Sequence, residues 1–217
     1  MIFNISYFNR NKITKKIGLG IIGLALLPLG GCISLLPKPG KPSMVAPMLG
    51  DYKGEVFETA APYSVAVDTP EMPSALSGSS VVVLMNDGSY AYIEGLRLAS
   101  PTPVAIQNIF ISTFEKANAF LATTRGNTTV RANYELAIDV SRYEVTMPKW
   151  GKAGTARIDA SVRIIDVSTR SPIAAKTFSA TAPAIKGKPI QAANGLEQAT
   201  QMLAVDVMKW VRENNAD

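Results

Sequence analysis

Two stretches of strict apolar–polar alternation constrain this chain more than anything else in it. Tyr134, Leu136, Ile138 and Val140 share one face, with Glu135, Asp139 and Ser141 opposite. Ile158, Ala160, Val162 and Ile164 repeat the pattern against Arg157, Asp159, Ser161 and Arg163. A period of two over this length describes strands with one dry and one wet face. Such strands need a cover on one side of their sheet. Two segments with helical spacing can supply it. In Pro103–Leu121 the stripe is Ile106, Ile109, Phe110, Phe114, Ala117 and Leu121, with Thr102 in position to cap it. In Ile190–Val211 it is Leu196, Ala199, Leu203, Val207 and Trp210. Further strands are read at Tyr63–Asp68, at Val81–Asn86, which is apolar from Val81 to Met85, at Tyr90–Glu94 after an Asn86-Asp87-Gly88 hairpin turn, and at Ile173–Ala180. The expected fold class is α+β: a mainly antiparallel sheet with two helices packed on one face.

The 217 residues carry 22 Lys+Arg against 17 Asp+Glu, a basic excess that would suggest a nucleic-acid partner if it were spread over the fold. It is not. Residues 1–31 hold Arg10, Lys12, Lys15 and Lys16 and no acid, so 22−4 leaves 18 basic against 17 acidic residues in the rest. A nearly neutral domain has no electrostatic basis for tracking a phosphate backbone. The N-terminal charges precede an apolar run, Ile17–Leu29, too short to cross a bilayer, and this order describes a secretory signal peptide. Leu29-Gly30-Gly31-Cys32 resembles the lipobox of bacterial lipoproteins, in which cleavage exposes a cysteine that carries diacylglycerol. Cys32 is the only cysteine of the chain. The competing reading is a cysteine inside an uncleaved anchor. Residues 1–31 are thus expected to be a lipoprotein signal peptide and 32–62, with Pro37, Pro39, Pro42, Pro47 and Pro62, a lipidated N-terminus and tether. Residues 63–217 are expected to be the folded domain.

Composition excludes much chemistry. With no histidine and one cysteine, neither an imidazole-based catalytic pair nor a zinc site with histidine or several thiolates can be built. Gly18-Leu19-Gly20-Ile21-Ile22-Gly23 matches a dinucleotide-binding pattern literally. Lysines stand where its strand should be, and the first acid in the chain is Asp51. Asp139, Glu144 and Asp159 could pair for acid–base work, but solvated strand faces account for them. No enzyme, cofactor or metal site is expected. One loop stands apart: Met147-Pro148-Lys149-Trp150-Gly151-Lys152, between the two alternating strands. An indole between Lys149 and Lys152 suits a protein interface or a headgroup layer; alternatively Trp150 folds back to cover the end of the sheet.

The signal and lipobox, Ser79–Glu94 (SSVVVLMNDGSYAYIE), the helix after Pro101-Thr102-Pro103, Tyr134–Val140, Val162–Asp166, Phe178 and a last helix with Trp210 together resemble the ABC-type transport auxiliary lipoprotein family over about residues 60–210. Leu98 departs from the pattern, standing where many relatives carry tryptophan. The resemblance implies the lipoprotein component of a Pqi/MCE-type intermembrane lipid transport system. That role is non-catalytic, lipid-anchored and periplasmic, docked on the MCE-domain protein, with a homo-oligomeric ring as one arrangement. Ile33 in place of an acid after the cysteine points to the outer membrane, periplasmic side. Two other readings stay open: a lipid-binding carrier with an apolar cavity, and a structural envelope scaffold. Cys32→Ser is expected to abolish labelling by radioactive palmitate and leave the precursor uncleaved, and normal labelling of the variant would sink the lipobox reading.

Overall fold

The alternation around Leu136 and Ile158 becomes two adjacent strands of 13 residues each. The protein is described by a computed structural model over residues 43–45, 52, 54–126, 128, 131–147, 154–184 and 189–214. Along these the order is β1 (Ser43–Val45), β2 (Ala61–Val67), β3 (Ser80–Leu84), β4 (Tyr90–Leu98), α1 (Thr102–Lys116), β5 (Phe120–Arg125), β6 (Tyr134–Thr146), β7 (Gly154–Asp166), β8 (Ser171–Ala184) and α2 (Pro189–Asn214). All of them belong to one compact unit, Pro39–Asp217.

β6 is the axis of the sheet. β7 pairs antiparallel along its length, and β8 pairs antiparallel with β7. The other edge of β6 is shared in parallel: β2 takes Tyr134–Leu136, Glu71 bridges to Asp139, and β3 takes Val145 and Thr146. β5 extends β2 and β1 extends β4, again in parallel, while β3 and β4 form the antiparallel hairpin. Among the described residues four of the seven strand pairings are therefore parallel. The eight-stranded sheet is mixed, and the expectation of a mainly antiparallel one is corrected. Sequence adjacency reveals hairpins, which are antiparallel of necessity; the parallel pairs join strands far apart in the chain, and local periodicity carries no trace of them.

The hydrophobic face of β7 (Ala156, Ile158, Ala160, Val162, Ile164) is entirely buried. α2 lies across β7 and β8, and α1 packs on β5, β2 and α2. Leu196, Ala199, Leu203 and Val207 are fully or almost fully buried, and Trp210 meets the Phe178 ring at 5.4 Å. Each fully buried Leu contributes about 1.5–3 kcal/mol relative to exposure. From α1 an aromatic chain runs into the sheet: Phe110, Phe114, Phe120, Tyr63 and Tyr134 follow one another at 5.2–5.9 Å between rings. Tyr143 lies fully inside the core, where burial pushes its pKa up to about 12, the hydrogen bond with Thr200 opposing the rise and Glu197 adding to it.

Several local expectations are revised. The first helix stops at Lys116, and Asn118 turns the chain at φ 51°, a conformation asparagine tolerates better than most residues. The chain then re-enters the sheet as β5, so Leu121 is a strand residue left 71% exposed rather than part of a helical stripe. Thr102 does not cap α1; its hydroxyl donates to the Gly78 carbonyl at 2.7 Å, and Pro101 stands at the cap position. Ser43–Val45, within the stretch expected as tether, pairs with β4. Phe57 likewise docks on α2, with the Arg212 guanidinium 3.8 Å from its ring centre.

Gly195 marks where α2 comes closest to the sheet. A Cβ there would stand 2.9 Å from the Pro183 carbonyl oxygen and 3.1 Å from the Ala156 methyl. Alanine is the better helix former by about 1 kcal/mol, yet Gly195→Ala is expected to destabilise, because a backbone oxygen has to give way. Leu203→Ala, removing a side chain with no exposure, is expected to cost about 2–5 kcal/mol. Urea unfolding reads both; a Gly195→Ala protein as stable as the parent would mean that α2 has room to move off β8.

Candidate functional site

The residues singled out from the sequence, Leu29, Gly30, Gly31 and Cys32 of the lipobox and Lys149, Trp150 and Lys152 of the loop, lie outside the described residues. The stems of that loop are described. Thr146 pairs with Thr155, and a Cβ on Gly154 would meet the Thr146 carbonyl oxygen at 2.8 Å. The two strands thus pair closely up to their last described residues.

Immediately below lies a charged cluster on the wet face. A register shift between Val140 and Arg142 inserts Ser141 and re-phases β6. Beyond it Tyr143 and Val145 point into the core, while Arg142 and Glu144 share the outer face. Glu144 faces Arg157, and Arg142 faces Asp159. Glu144 is completely buried there; its Oε1 accepts from Arg142 Nε at 2.8 Å and lies 2.6 Å from Nη2. Its Oε2 finds no hydrogen-bond donor. Asp159 is gripped by Arg157, with Nε at 3.0 and 2.9 Å from its two oxygens and Nη2 at 2.9 Å, and Ser179 on β8 donates to it as well. Partial burial alone would raise the Asp159 pKa; the hydrogen bonds from Arg157 and Ser179 and the charges of Arg157 and Arg142 bring it below the ordinary range. Asp139 is exposed and pairs across to Ser161. The three carboxylates considered for acid–base work are therefore not assembled. Two are neutralised by arginines, forming fixed ion pairs rather than a proton-transfer pair.

The structure does bring together one carboxyl pair that the sequence conceals. Asp68, just past β2, hydrogen-bonds the side chain of Glu135 on β6. Burial first, and then this hydrogen bond and the Glu135 charge, push Asp68 up to about 7. Its carboxyl lies against Gly126, where any Cβ would collide with Oδ1. The parallel register that sets Ala66 beside Glu135 creates this contact, and no local pattern announces it. Among the described residues no group of three or more His, Cys, Asp or Glu side chains could hold a metal ion. No helix among them is long and apolar enough to cross a membrane. Two surface hollows, about 200 and 330 Å³, lie at Arg131–Tyr134 with Asp166–Ser168 and between the end of α1 and β5.

A family model described as the ABC-type transport auxiliary lipoprotein component matches residues 53–208. No curated protein matches the sequence. Among solved structures, a Xanthomonas campestris protein of the DUF330 type aligns at TM-score 0.69 and 19% identity, covering 80% of this chain and 97% of its own. The hypothetical protein CT253 of Chlamydia trachomatis aligns at TM-score 0.50 and 10% identity, over 72% of this chain and 100% of its own. At such identities these likenesses concern the fold alone.

The Asp68–Glu135 pair sets a pH dependence. The folded protein retains a proton there up to about pH 7, whereas an unfolded Asp releases it near 3.8. Between those values the folded state binds more protons, so stability is greatest at the acid end and falls as pH rises through the window. Asp68→Asn is expected to flatten this slope in urea midpoints measured across the window; an unchanged slope would show that the pair does not share a proton.

Proposed function

The chain belongs to the family of ABC-type transport auxiliary lipoprotein components, and from that premise we propose that it is the lipid-anchored, non-catalytic component of an MCE-type lipid transport system. Cleavage before Cys32 yields a mature protein acylated on that thiol and held on the outer membrane, periplasmic side. Two or three acyl chains at roughly 0.8 kcal/mol per buried CH₂ make such an anchor nearly permanent. The folded domain then docks on the MCE-domain protein, with a homo-oligomeric ring as one arrangement. The observation that carries this reading is the family match over residues 53–208, with Leu29-Gly30-Gly31-Cys32 in front of it. The ion-paired wet face of β6, β7 and β8 supports it. There Arg142 pairs with Glu144 and Arg157 with Asp159, which fixes the outer face of β6 and β7 near their paired ends.

The Lys149–Trp150–Lys152 loop is the contact we assign to the partner. Crosslinking in cells followed by purification of this protein should recover an MCE-domain protein. Trp150→Ala should reduce that recovery with the melting temperature unchanged. Recovery of no MCE protein from wild-type cells would overturn the docking claim. A melting temperature that falls with Trp150→Ala would make Trp150 a cover for the sheet end.

A further inference from the structure

The β5 and β8 extremes of the sheet carry complementary irregularities. At the first, β5 pairs with β2 through a register shift between Ala61 and Ser64, and beside it Leu121 and Ala122 are exposed one after the other. The hollow of about 330 Å³ between β5 and the end of α1 opens there, lined by Phe114, Phe120, Leu121 and Ala122, with Glu115 at its rim. At the second extreme, Ile165 pairs with Pro172 but Ile164 with Ala174. Ile173 is therefore an extra residue of β8, left out of the ladder, and it is 48% exposed. Arg170, in the turn before it at φ 57°, is exposed as well. Among the described residues neither Arg170 nor Glu115 has an ion-pair partner.

We propose that Ile173 of one copy seats in the α1–β5 hollow of the next, with Arg170 facing Glu115, so that copies join head to tail. This supplies the contact for the ring of the functional reading and rests on that reading. The register carries it. Thr124 pairs with Ala66, Ala66 with Glu135, Glu135 with Ile165 and Ile165 with Pro172, a continuous row from one extreme of the sheet to the other. Ile173 is one residue beyond that row and Ala122 two residues before it. β5 and β8 both run in the direction of β6, so three residues at about 3.3 Å set side chain and hollow within about 10 Å of one height. A rotation with little rise then carries one onto the other, the condition for a head-to-tail contact to close on itself rather than spiral. Within one copy four strand spacings of about 4.8 Å separate the two, so the chain does not fill its own hollow with Ile173. The chemistry matches as well. A branched aliphatic side chain meets phenyl rings and a leucine, and the acid at the rim meets a cation. Pro172, beside Ile173, has no N–H to offer a neighbouring strand, so the contact is one of side chains and leaves the ladder as it is.

The full-length protein, expressed from its complete gene and extracted from membranes in mild detergent, tests this. Ala122→Cys and Ile173→Cys change exposed positions. Combined in one chain and oxidised, they should give a ladder of crosslinked multimers, while either alone, and the parent with Cys32 only, should give none. Glu115→Lys and Arg170→Asp, each added to that double-cysteine chain, should cut the ladder several-fold, and the two together should restore it, with the melting temperature unchanged throughout. Dimers from Ile173→Cys alone would mean that two β8 edges meet about a two-fold axis, which overturns the proposal. A double-cysteine chain without a ladder, in protein that is monomeric by native mass spectrometry, overturns it too. If such a monomer still recovers an MCE-domain protein from crosslinked cells, the functional reading survives the loss of this contact. A ladder from a protein that recovers none upholds the contact and removes the functional reading instead.

Discussion

Everything in the sheet depends on β6 having both edges occupied along thirteen residues. One edge is given wholly to β7; the other is divided between β2, the Glu71 bridge and β3. The division works because the chain between β2 and β3 stays against β6, with Glu71 N–H donating to Ile138 and Val140 N–H donating back to Glu71 at 2.9 and 2.8 Å. Few of the central strand's backbone groups are then left to compete with water. The two wings, β5–β2 and β1–β4–β3, are held together chiefly through β6. The shift at Ser141 falls between the segments of β6 that serve the two wings, so the strand's inner face follows both halves of the core.

The helices act on this frame as a clamp. α2 runs across β7 and β8 with Gly195 touching backbone at one end, and its last turns reach Tyr63, Phe57 and the Ala119 carbonyl through Val211 and Arg212. One element thereby joins the antiparallel half of the sheet to the β2–β5 wing, and it does so mostly through apolar burial rather than charge. Lys209 and Glu55 are 3.6 Å apart at the surface, a pair worth little beside that burial. Removing buried side chains from α2 would therefore loosen both halves together, whereas altering its surface charges would loosen neither.

How far the sequence exposes this arrangement follows from the range of each interaction. The alternation in β6 and β7, the Asp87-Gly88 turn with Gly88 at φ 83°, and the α2 stripe are all local, and each appears in the structure at the expected residues. What stays hidden is long-range. β5 is six residues whose inward Phe120 finds partners in Tyr63 and Phe114, and from the sequence its leading residues look like one more helical turn. β1 is three residues with no pattern of their own, made into a strand by the free edge of β4. The Asp68–Glu135 contact requires the parallel pairing of β2 with β6. The residues expected to anchor the protein and to meet a partner, Cys32 and the Trp150 loop, lie outside the described residues.

The outer rim of the sheet limits how such a domain can meet its partners. Among the described residues β8 has strand pairing on one side only, and a free edge of 14 residues invites pairing with any exposed strand. Three of its residues resist that. Pro172 and Pro183 offer no N–H at either end, and Lys176 places a charge between them, its ammonium 5.2 Å from the Phe178 ring centre. β5 and β1, at the other extremes, are short. With its longest edge blunted and the others brief, the domain gains little by extending its sheet into a neighbour. Specific contacts are left to side-chain faces, surfaces whose chemistry can be chosen without disturbing the ladder beneath them.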